Sequence, residues 1–446
     1  MNSEIGLAKR QFGHRARLAL SPAEIRAMDD QAHAARTMWN CLHAWWQMMP
    51  KDKRSLAAAD AAIRQARGDI DFLAVLPAQA AQAVLKTYFQ AWKNCWDGRA
   101  EDPNFKARFR SVMSVDIPQG RDLQIKRVHR RWGMVNIPKV GRVRFRWTKD
   151  LPVGKQANSD NRITGARLVK DGLGWHIAFR ITMLERAPEP HPGPEAGIDM
   201  GVNIPLALSD GNHHDHGRPP RLPDGKSDRD KWLNPDEKAK LLRLERRAAH
   251  RKTFRKPREK TSRRLHHTYD QIRALRAKAT RRSTDWQHKT TTNLARQYGV
   301  IVVEALPITN MTKAPAPKPD PGNDGAFLRN GAKAKAGLNR SSLQEAWGRT
   351  VTMLTYKTAR QGGTLVKVPA PYTSQRCSAC GFLTPGSRET QALFVCKNPD
   401  CGWSGNADHN AARNVLHLYR IGHVAIPAAG RAVVRRTRGV KPATAR

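Results

Sequence analysis

The sequence is short of acidic residues. It has 38 Asp and Glu against 79 Lys and Arg in 446 residues, which gives a formal net charge of +41 and a pI of about 10.9. A surface this basic repels itself unless a polyanion neutralises it, and nucleic acid is the polyanion we expect. The length and the 12 Trp argue against a small ribosomal or histone-like binder.

The sequence also lacks long hydrophobic runs. No stretch approaches the ~18 apolar residues of a membrane span, and the first 20 residues contain no apolar leader core. We therefore expect a soluble, cytoplasmic protein that joins the nucleoid when it is bound to DNA. A Walker-type phosphate loop is missing as well, which argues against nucleotide hydrolysis.

Cysteine is scarce, and its placement does not indicate a disulfide framework. Four of the six cysteines crowd into one short segment: Cys377, Cys380, Cys396 and Cys401. This pattern (C-x2-C, then 15 residues, then C-x4-C) predicts a structural Zn²⁺ site, because paired thiolates supply all four tetrahedral ligands. The two isolated cysteines, Cys41 and Cys95, are interpreted as buried thiols.

The first part of the chain predicts a helical domain followed by strands. Ser21-Pro22-Ala23-Glu24 has the pattern of a helix start, and apolar and aromatic residues recur at helical spacing over 25–49 and 85–96, where they indicate packed core faces. From 111 to 184 the apolar period becomes two, which predicts a β-barrel or curled sheet. There Arg142, Arg144 and Arg146 alternate with packing residues, and we predict that this face contacts phosphates.

A Pro-rich stretch, 187–194, predicts a linker and the main domain boundary. The region 231–289 then carries 20 Lys and Arg against six Asp and Glu, a density that favours a helical hairpin neutralised by phosphates. Its predicted nucleic-acid contacts are Arg251, Lys252, Arg255 and Lys256. Residues 312–339 are predicted to form a mobile loop, and the tail from 421 is expected to be disordered or RNA-bound.

Three acidic residues stand in unusual settings. Asp199 ends an apolar run in GIDMGVNIPLALSDG, Glu304 follows the apolar run 300–303, and Asp408 lies at a predicted helix start in NADHNAARNVL. One such acid alone is weak evidence, and helix capping is the ordinary role for Asp408. Together they can meet at one edge of a mixed sheet and hold two Mg²⁺ ions, which phosphodiester hydrolysis requires.

Four segments in order resemble the TnpB proteins of insertion sequences and the compact type V CRISPR effectors related to them. They are GIDMGVNIPLALSDG, IVVEALPITNM, YKTARQGGTLVKVPAPYTSQRCSACG and CGWSGNADHNAARNVL, which span about 197–416. The resemblance implies an RNA-guided endonuclease that cuts DNA beside a short flanking motif. It also implies that Asp199, Glu304 and Asp408 are the catalytic Mg²⁺ ligands and that the four cysteines form a zinc ribbon.

The expected fold is a multidomain α/β protein with an RNase H-like, RuvC-type core and a zinc ribbon insertion. The resemblance implies a β-barrel wedge domain (1–20 and 101–186) around a helical recognition domain (21–100). After the linker (187–196) we expect the nuclease core (197–372, with a basic insert at 231–290), the ribbon (373–404), a last core helix (405–420) and a basic tail (421–446). Two departures from the family pattern, Ala305 after the Glu and the long second cysteine pair, remove no metal ligand.

Two other functions remain open at this point. A non-cleaving, RNA-guided repressor would have the same architecture, although the intact carboxylates argue against it. A cut-and-paste transposase would share the RNase H-like fold, although the TSQ-Cys-x2-Cys segment and the basic insert argue against it. The guide RNA, the flanking motif and the choice between monomer and homodimer are not determined by the sequence.

Overall fold

The computed structural model describes residues 7–108, 111–219, 228, 230–255, 259–323, 325–390 and 392–425. The chain divides into two compact units, one ending at Arg186 and the other beginning at Ala187. Both contain helices and strands, so the protein is of the mixed α/β class. Among the described helices, none is long and apolar enough to cross a membrane.

The first unit is built on a seven-stranded antiparallel sheet with the strand order β2-β6-β7-β1-β5-β4-β3. Its strands are β1 (Leu7–Ala19), β2 (Ser114–Ile117), β3 (Lys126–His129), β4 (Trp132–Ile137), β5 (Gly141–Arg146), β6 (Arg162–Asp171) and β7 (Gly174–Arg186). Its longest ladder joins β1 to β7, from Leu7 opposite Arg186 to Arg17 opposite His176. Within the described ranges no ladder joins the edge strands β2 and β3, so closure into the predicted barrel is not seen.

Four helices lie between β1 and β2: α1 (Pro22–Met48), α2 (Leu56–Asp69), α3 (Asp71–Ala74) and α4 (Ala78–Trp96). The predicted helix start is confirmed, because Ser21 and Glu24 form a capping box at the head of α1. The aromatic stripes of α1 and α4 face each other, as the helical spacing predicts. Trp39 lies edge-on to the buried Tyr88, with 5.1 Å between the ring centroids.

Three residues of these helices are less buried than predicted. Cys41 is exposed and Cys95 is half-buried, so the interpretation of both as buried thiols was wrong. Trp96, at the end of α4, is 63% exposed. Helical spacing alone cannot tell the last turn of a packed stripe from its middle, and Trp96 lies where α4 ends.

The second unit is built on a five-stranded mixed sheet with the order β10-β9-β8-β11-β14. These strands are β8 (Glu195–Asp199), β9 (Leu206–Leu208), β10 (His213–His214), β11 (Val300–Glu304) and β14 (Thr364–Val368). The first three are antiparallel, whereas β8, β11 and β14 run parallel. Two short pairs complete the unit: β12 (Lys318–Pro319) with β13 (Phe327–Leu328), and β15 (Leu393–Val395) with β16 (Ser404–Asn406).

Its helices are α5 (Pro235–Thr253), α6 (Arg263–Gln297), α7 (Ile308–Met311), α8 (Ala332–Glu345), α9 (Trp347–Arg360) and α10 (Ala407–Arg420). Side chains of β8 and β11 alternate between the two faces of the sheet. Ile198, Ile301 and Val303 pack in one core with Leu294 of α6 and Leu354 of α9. Val302 packs on the opposite face with Val415 and Leu416 of α10.

Several predicted boundaries shift in this unit. The linker is shorter than predicted, because β8 begins at Glu195. The basic region is a pair of helices, as expected, but α6 continues to Gln297. The predicted loop 312–339 contains the β12–β13 pair and the start of α8, whose Ala- and Lys-rich sequence has good helix propensity. The tail from 426 onward lies outside the described residues.

Candidate functional site

Two of the three candidate acids lie at the carboxyl ends of neighbouring parallel strands. Asp199 ends β8 and Glu304 ends β11, and the ladder pairs Val303 with Ile198 immediately before them. Because side chains alternate along a strand, Glu304 shares the face of Val302, which is the face that α10 covers. By the same alternation Asp199 shares the face of Gly197. The sheet therefore presents both carboxylates side by side beneath α10.

The third acid reaches this place because α10 packs unusually close to β8. A Cβ atom on Gly197 would lie 2.2 Å from the carbonyl oxygen of Ala412, so only glycine permits this approach. Asp408 lies in the first turn of α10. There the side-chain oxygen of Asn406 accepts hydrogen bonds from the backbone amides of Asp408 and His409, at 3.0 and 3.1 Å. The helix start thus places a carboxylate over the ends of β8 and β11.

The electrostatics of Asp199 reflect its burial and its two acidic neighbours. Burial and then the nearby charges of Glu304 and Asp408 raise the pKa of Asp199 to about 7, against the opposing effect of Arg388. Burial also raises the pKa of Glu304, which is 8% exposed. Carboxylates crowded in this way are stabilised by a bound cation. The three predicted acids therefore lie near one another at this end of the sheet, and their role as ligands of one metal site stays a prediction.

Neighbouring side chains hold two of the acids in place. The Thr373 hydroxyl donates a hydrogen bond to Glu304, and the Arg388 guanidinium donates to Asp408 at 2.7 Å. The segment that carries Thr373 is itself fixed to α10, because the Asn414 side-chain amide donates to the Thr373 carbonyl at 2.8 Å. These contacts orient hard oxygen ligands of the kind that Mg²⁺ prefers.

The four cysteines form a second cluster. Their sulfur atoms all lie within 4.8 Å of one another, with Cys377 and Cys401 at 3.9 Å and Cys380 and Cys396 at 3.6 Å. Four thiolates about 2.3 Å from a tetrahedral Zn²⁺ would be separated by roughly 3.8 Å. The spacing and the soft donor set therefore fit one zinc-like ion, with no ligand position left for a substrate.

The cysteine segment is joined directly to the acidic site. Strand β16 ends at Asn406, the residue that caps α10. Arg388, from the loop before β15, makes the ion pair with Asp408 described above. Folding of the cysteine segment therefore positions both the start of α10 and the Arg388 guanidinium beside Asp408.

The predicted nucleic-acid contacts fall into two groups. Arg142, Arg144 and Arg146 are exposed on one face of β5 while Val143 and Phe145 are buried, as the alternation predicts. At the end of α5 and beyond it, Lys252 and Arg255 are exposed, whereas Arg251 is half-buried and donates to Thr268 at 2.6 Å. Lys256 lies outside the described residues. The function of each group stays a prediction.

Sequence reasoning missed the residues that support the acids. Gly197 and Thr373 lie inside the family-like segments and Arg388 lies between the two cysteine pairs, but nothing in one sequence shows which acid or helix they will contact. A signal was present in α10, where Asn410 and Asn414 lie four residues apart on one face. Both are buried, and both donate to the Arg376 carbonyl, at 2.8 and 2.6 Å.

Comparison with known proteins agrees with this geometry. Residues 178–314 match the family described as "Probable transposase" (OrfB of IS605), and 347–415 match the Cas12f1-like TNB domain. The chain is 31% identical over 347 residues to the "Putative RNA-guided DNA endonuclease InsQ" of Escherichia coli K12, covering 76% of this chain and 74% of that protein. The chain belongs to the TnpB family.

More distant relatives include compact CRISPR proteins. This TnpB-family chain is 48% identical over 60 residues, 14% of each chain, to the Cas12f1 endodeoxyribonuclease of Sulfoacidibacillus thermotolerans. A solved Cas12f1–sgRNA–target DNA complex aligns with 88% of this chain and 82% of its own at a TM-score of 0.48 and 15% identity. The family assignment rests on the InsQ match, which spans most of both chains.

Proposed function

We propose that this chain is an RNA-guided, Mg²⁺-dependent DNA endonuclease. The observation that carries the proposal is the meeting of Asp199, Glu304 and Asp408 at one end of the mixed sheet. Family membership supports it, since the InsQ relative is named an RNA-guided DNA endonuclease. In this proposal base pairing with the guide selects the target, and the protein reads only a short flanking motif.

The domain roles follow the same proposal. The second unit would be an RNase H-like, RuvC-type core, which its sheet supports: β8, β9 and β10 form an antiparallel meander, and β11 and β14 continue the sheet parallel to β8. The cysteine segment would be its zinc ribbon. Helices α1–α4 would form the recognition domain and the seven-stranded sheet the wedge domain, each contributing basic surface for RNA and DNA.

Hydrolysis forms a bond between a water oxygen and the phosphorus, and breaks one P–O bond of the DNA backbone. The products are a phosphate monoester on one fragment and a hydroxyl on the other. Divalent metal ions, when bound, activate the water and neutralise the leaving oxygen. Asp199, Glu304 and Asp408 would hold those ions, while Thr373 fixes the rotamer of Glu304 and Arg388 sets the position of Asp408.

The test uses the full chain purified together with its RNA. The RNA is sequenced, and a plasmid library that carries the complementary sequence beside randomised flanks is incubated with the complex and Mg²⁺. We expect cleavage only beside one short motif, and none without Mg²⁺. Binding to the matched plasmid without cleavage would instead show a guided repressor, and strand joining would show a transposase.

A further inference from the structure

The first unit contains an open groove that neither the fold nor the cutting site explains. Its volume is about 720 Å³, within the range of ordinary ligand sites. It is lined by arginines and tryptophans of the seven-stranded sheet, among them Arg17, Trp132, Arg144, Arg146 and Trp175. This set, called the Trp132 groove here, combines cationic and aromatic groups and has no acidic side chain in its lining.

The pairing of two strands builds the aromatic part of the groove. Arg146 of β5 lies directly opposite Trp132 of β4, and its guanidinium carbon is 4.1 Å from the centroid of the tryptophan ring. On the other face Gly133 leaves room for the Phe145 ring, which a Cβ atom would approach to 2.6 Å. Close packing below the sheet therefore fixes the backbone from which Trp132 and Arg146 project into the groove.

The positive charge of the groove is not neutralised. Among the described residues, no carboxylate forms an ion pair with Arg17, Arg144 or Arg146. By contrast Lys170 is paired with Asp29 at 2.7 Å, and Asp29 also accepts from the Trp175 indole at 3.0 Å. Lys170 and Trp175 are thus engaged by Asp29. Among the described residues, the guanidinium groups of Arg17, Arg144 and Arg146 remain available to an anion.

We propose that the Trp132 groove binds an unpaired nucleotide of the guide RNA. The base would stack beside the Trp132–Arg146 pair, and the guanidinium groups of Arg17 and Arg144 would bind the adjoining phosphates. This inference rests on the proposed function for the identity of the partner. It adds a site in the first unit that holds RNA whether or not DNA is cut.

The chemistry of the groove favours RNA loops over duplex DNA. Aromatic and guanidinium planes bind bases that are splayed out of a helix, and folded RNA presents such bases in its loops and bulges. In duplex DNA the base faces are stacked on one another, so a duplex would use only the arginines and leave Trp132 without a partner.

The position of the nucleotide is tested by ultraviolet crosslinking. The full chain, purified with its RNA, is irradiated at 254 nm and digested, and nucleotide adducts are located by mass spectrometry. We expect an adduct on the peptide that contains Trp132, in the absence of DNA. An adduct there only after target DNA is added, on a deoxynucleotide, would overturn the assignment to RNA.

The strength of the contact is tested with three variants. Trp132→Leu removes the ring but keeps apolar volume, and Arg146→Ala removes the stacked cation. Arg162→Ala is the matched control, because it removes an exposed arginine from β6 of the same sheet, opposite Thr182, outside the groove and outside the predicted phosphate-contacting face. RNA retained on the tagged chain is measured across salt washes. We expect Trp132→Leu and Arg146→Ala to retain about tenfold less RNA than Arg162→Ala.

The failures of the two proposals are distinguishable. If all three variants retain RNA equally and circular dichroism shows them folded, the groove proposal is wrong while guided cutting stands. If the wild-type chain carries no RNA at all, guided cutting itself fails. Should Trp132→Leu not fold, the comparison of Arg146→Ala with Arg162→Ala decides, because both change only exposed side chains.

Discussion

The second unit holds two clusters of metal-ligating side chains that are built in opposite ways. The four cysteines come from one segment of 25 residues and surround a single point, with all four ligand positions filled by the chain. The three acids come from β8, β11 and α10, far apart in sequence, and burial together with the charges of Glu304 and Asp408 raises the pKa of Asp199 to about 7. The closed cluster stabilises its own fold, whereas the crowded one is unfavourable until a cation or a proton neutralises it.

The largest expected effect separates the acids from ordinary surface carboxylates. Asp199→Ala and Glu304→Ala should each lower guided plasmid cleavage by at least about a thousandfold, because each removes a metal ligand. RNA retention should not change. Glu195→Ala is the control, since Glu195 lies at the other end of β8 and pairs with Arg420 at 2.9 Å. Equal losses of cleavage in all three variants would mean that any change to these strands damages the sheet. The acids would then not differ from an ordinary surface carboxylate.

The second effect tests whether the closed cluster supports the crowded one. Cys380→Ser should lower cleavage by roughly ten- to a hundredfold, because loss of the metal releases Arg388 from Asp408 and loosens the start of α10, which carries that acid. Cleavage rate and bound zinc are measured on the same preparation. Cys41→Ser, which changes an exposed thiol of the first unit, should alter neither. Full activity in a zinc-free Cys380→Ser chain would show that the clusters are independent.

A third variant disturbs the acidic site without changing an acid or a cysteine. In Gly197→Ala the new methyl group meets the Ala412 carbonyl and must push α10 away from β8. We expect about a tenfold loss of cleavage with bound zinc unchanged. Gly13→Ala is the matched strand variant, since its Cβ would lie 3.8 Å from the nearest atom, an ordinary contact. Equal activity of the two variants would mean that the approach of α10 does not position Asp408.

The smallest effect concerns the free energy of unfolding without divalent cations. Because the pKa of Asp199 is raised to about 7 in the folded chain, its contribution to stability is fully present below the ordinary pKa of about 4 and is lost as the pH rises from there to about 7. Asp199→Asn, which resembles the protonated acid, should therefore exceed wild type by about 2 kcal/mol at pH 8. The difference should shrink as the pH falls below about 7 and vanish only below the ordinary pKa of an aspartate, about 4. Thermal unfolding is measured in buffer without divalent cations and without chelator, so that a metal held by the cysteines is kept. Equal stability of the two chains at pH 8 would argue against a raised pKa of Asp199.

The acids and cysteines of the candidate site could be picked out from the sequence, whereas the residues that hold them in place could not. An acid after an apolar run identifies Asp199 and Glu304, because burial of a carboxylate needs a reason, and paired cysteines identify their own cluster. Gly197, Thr373 and Arg388 act through partners that only the fold brings near. The open edge strands β2 and β3 could not be predicted either, since alternation predicts a strand but not its neighbours.

The central claim is that Asp199, Glu304 and Asp408 form one metal-binding centre. It is tested most directly by the anomalous diffraction of manganese in crystals of the RNA-bound chain grown with MnCl₂. We expect at least one peak within roughly 2.5 Å of carboxylate oxygens from all three residues. Ordered side chains with manganese bound elsewhere, and none in contact with Asp199, would contradict the account.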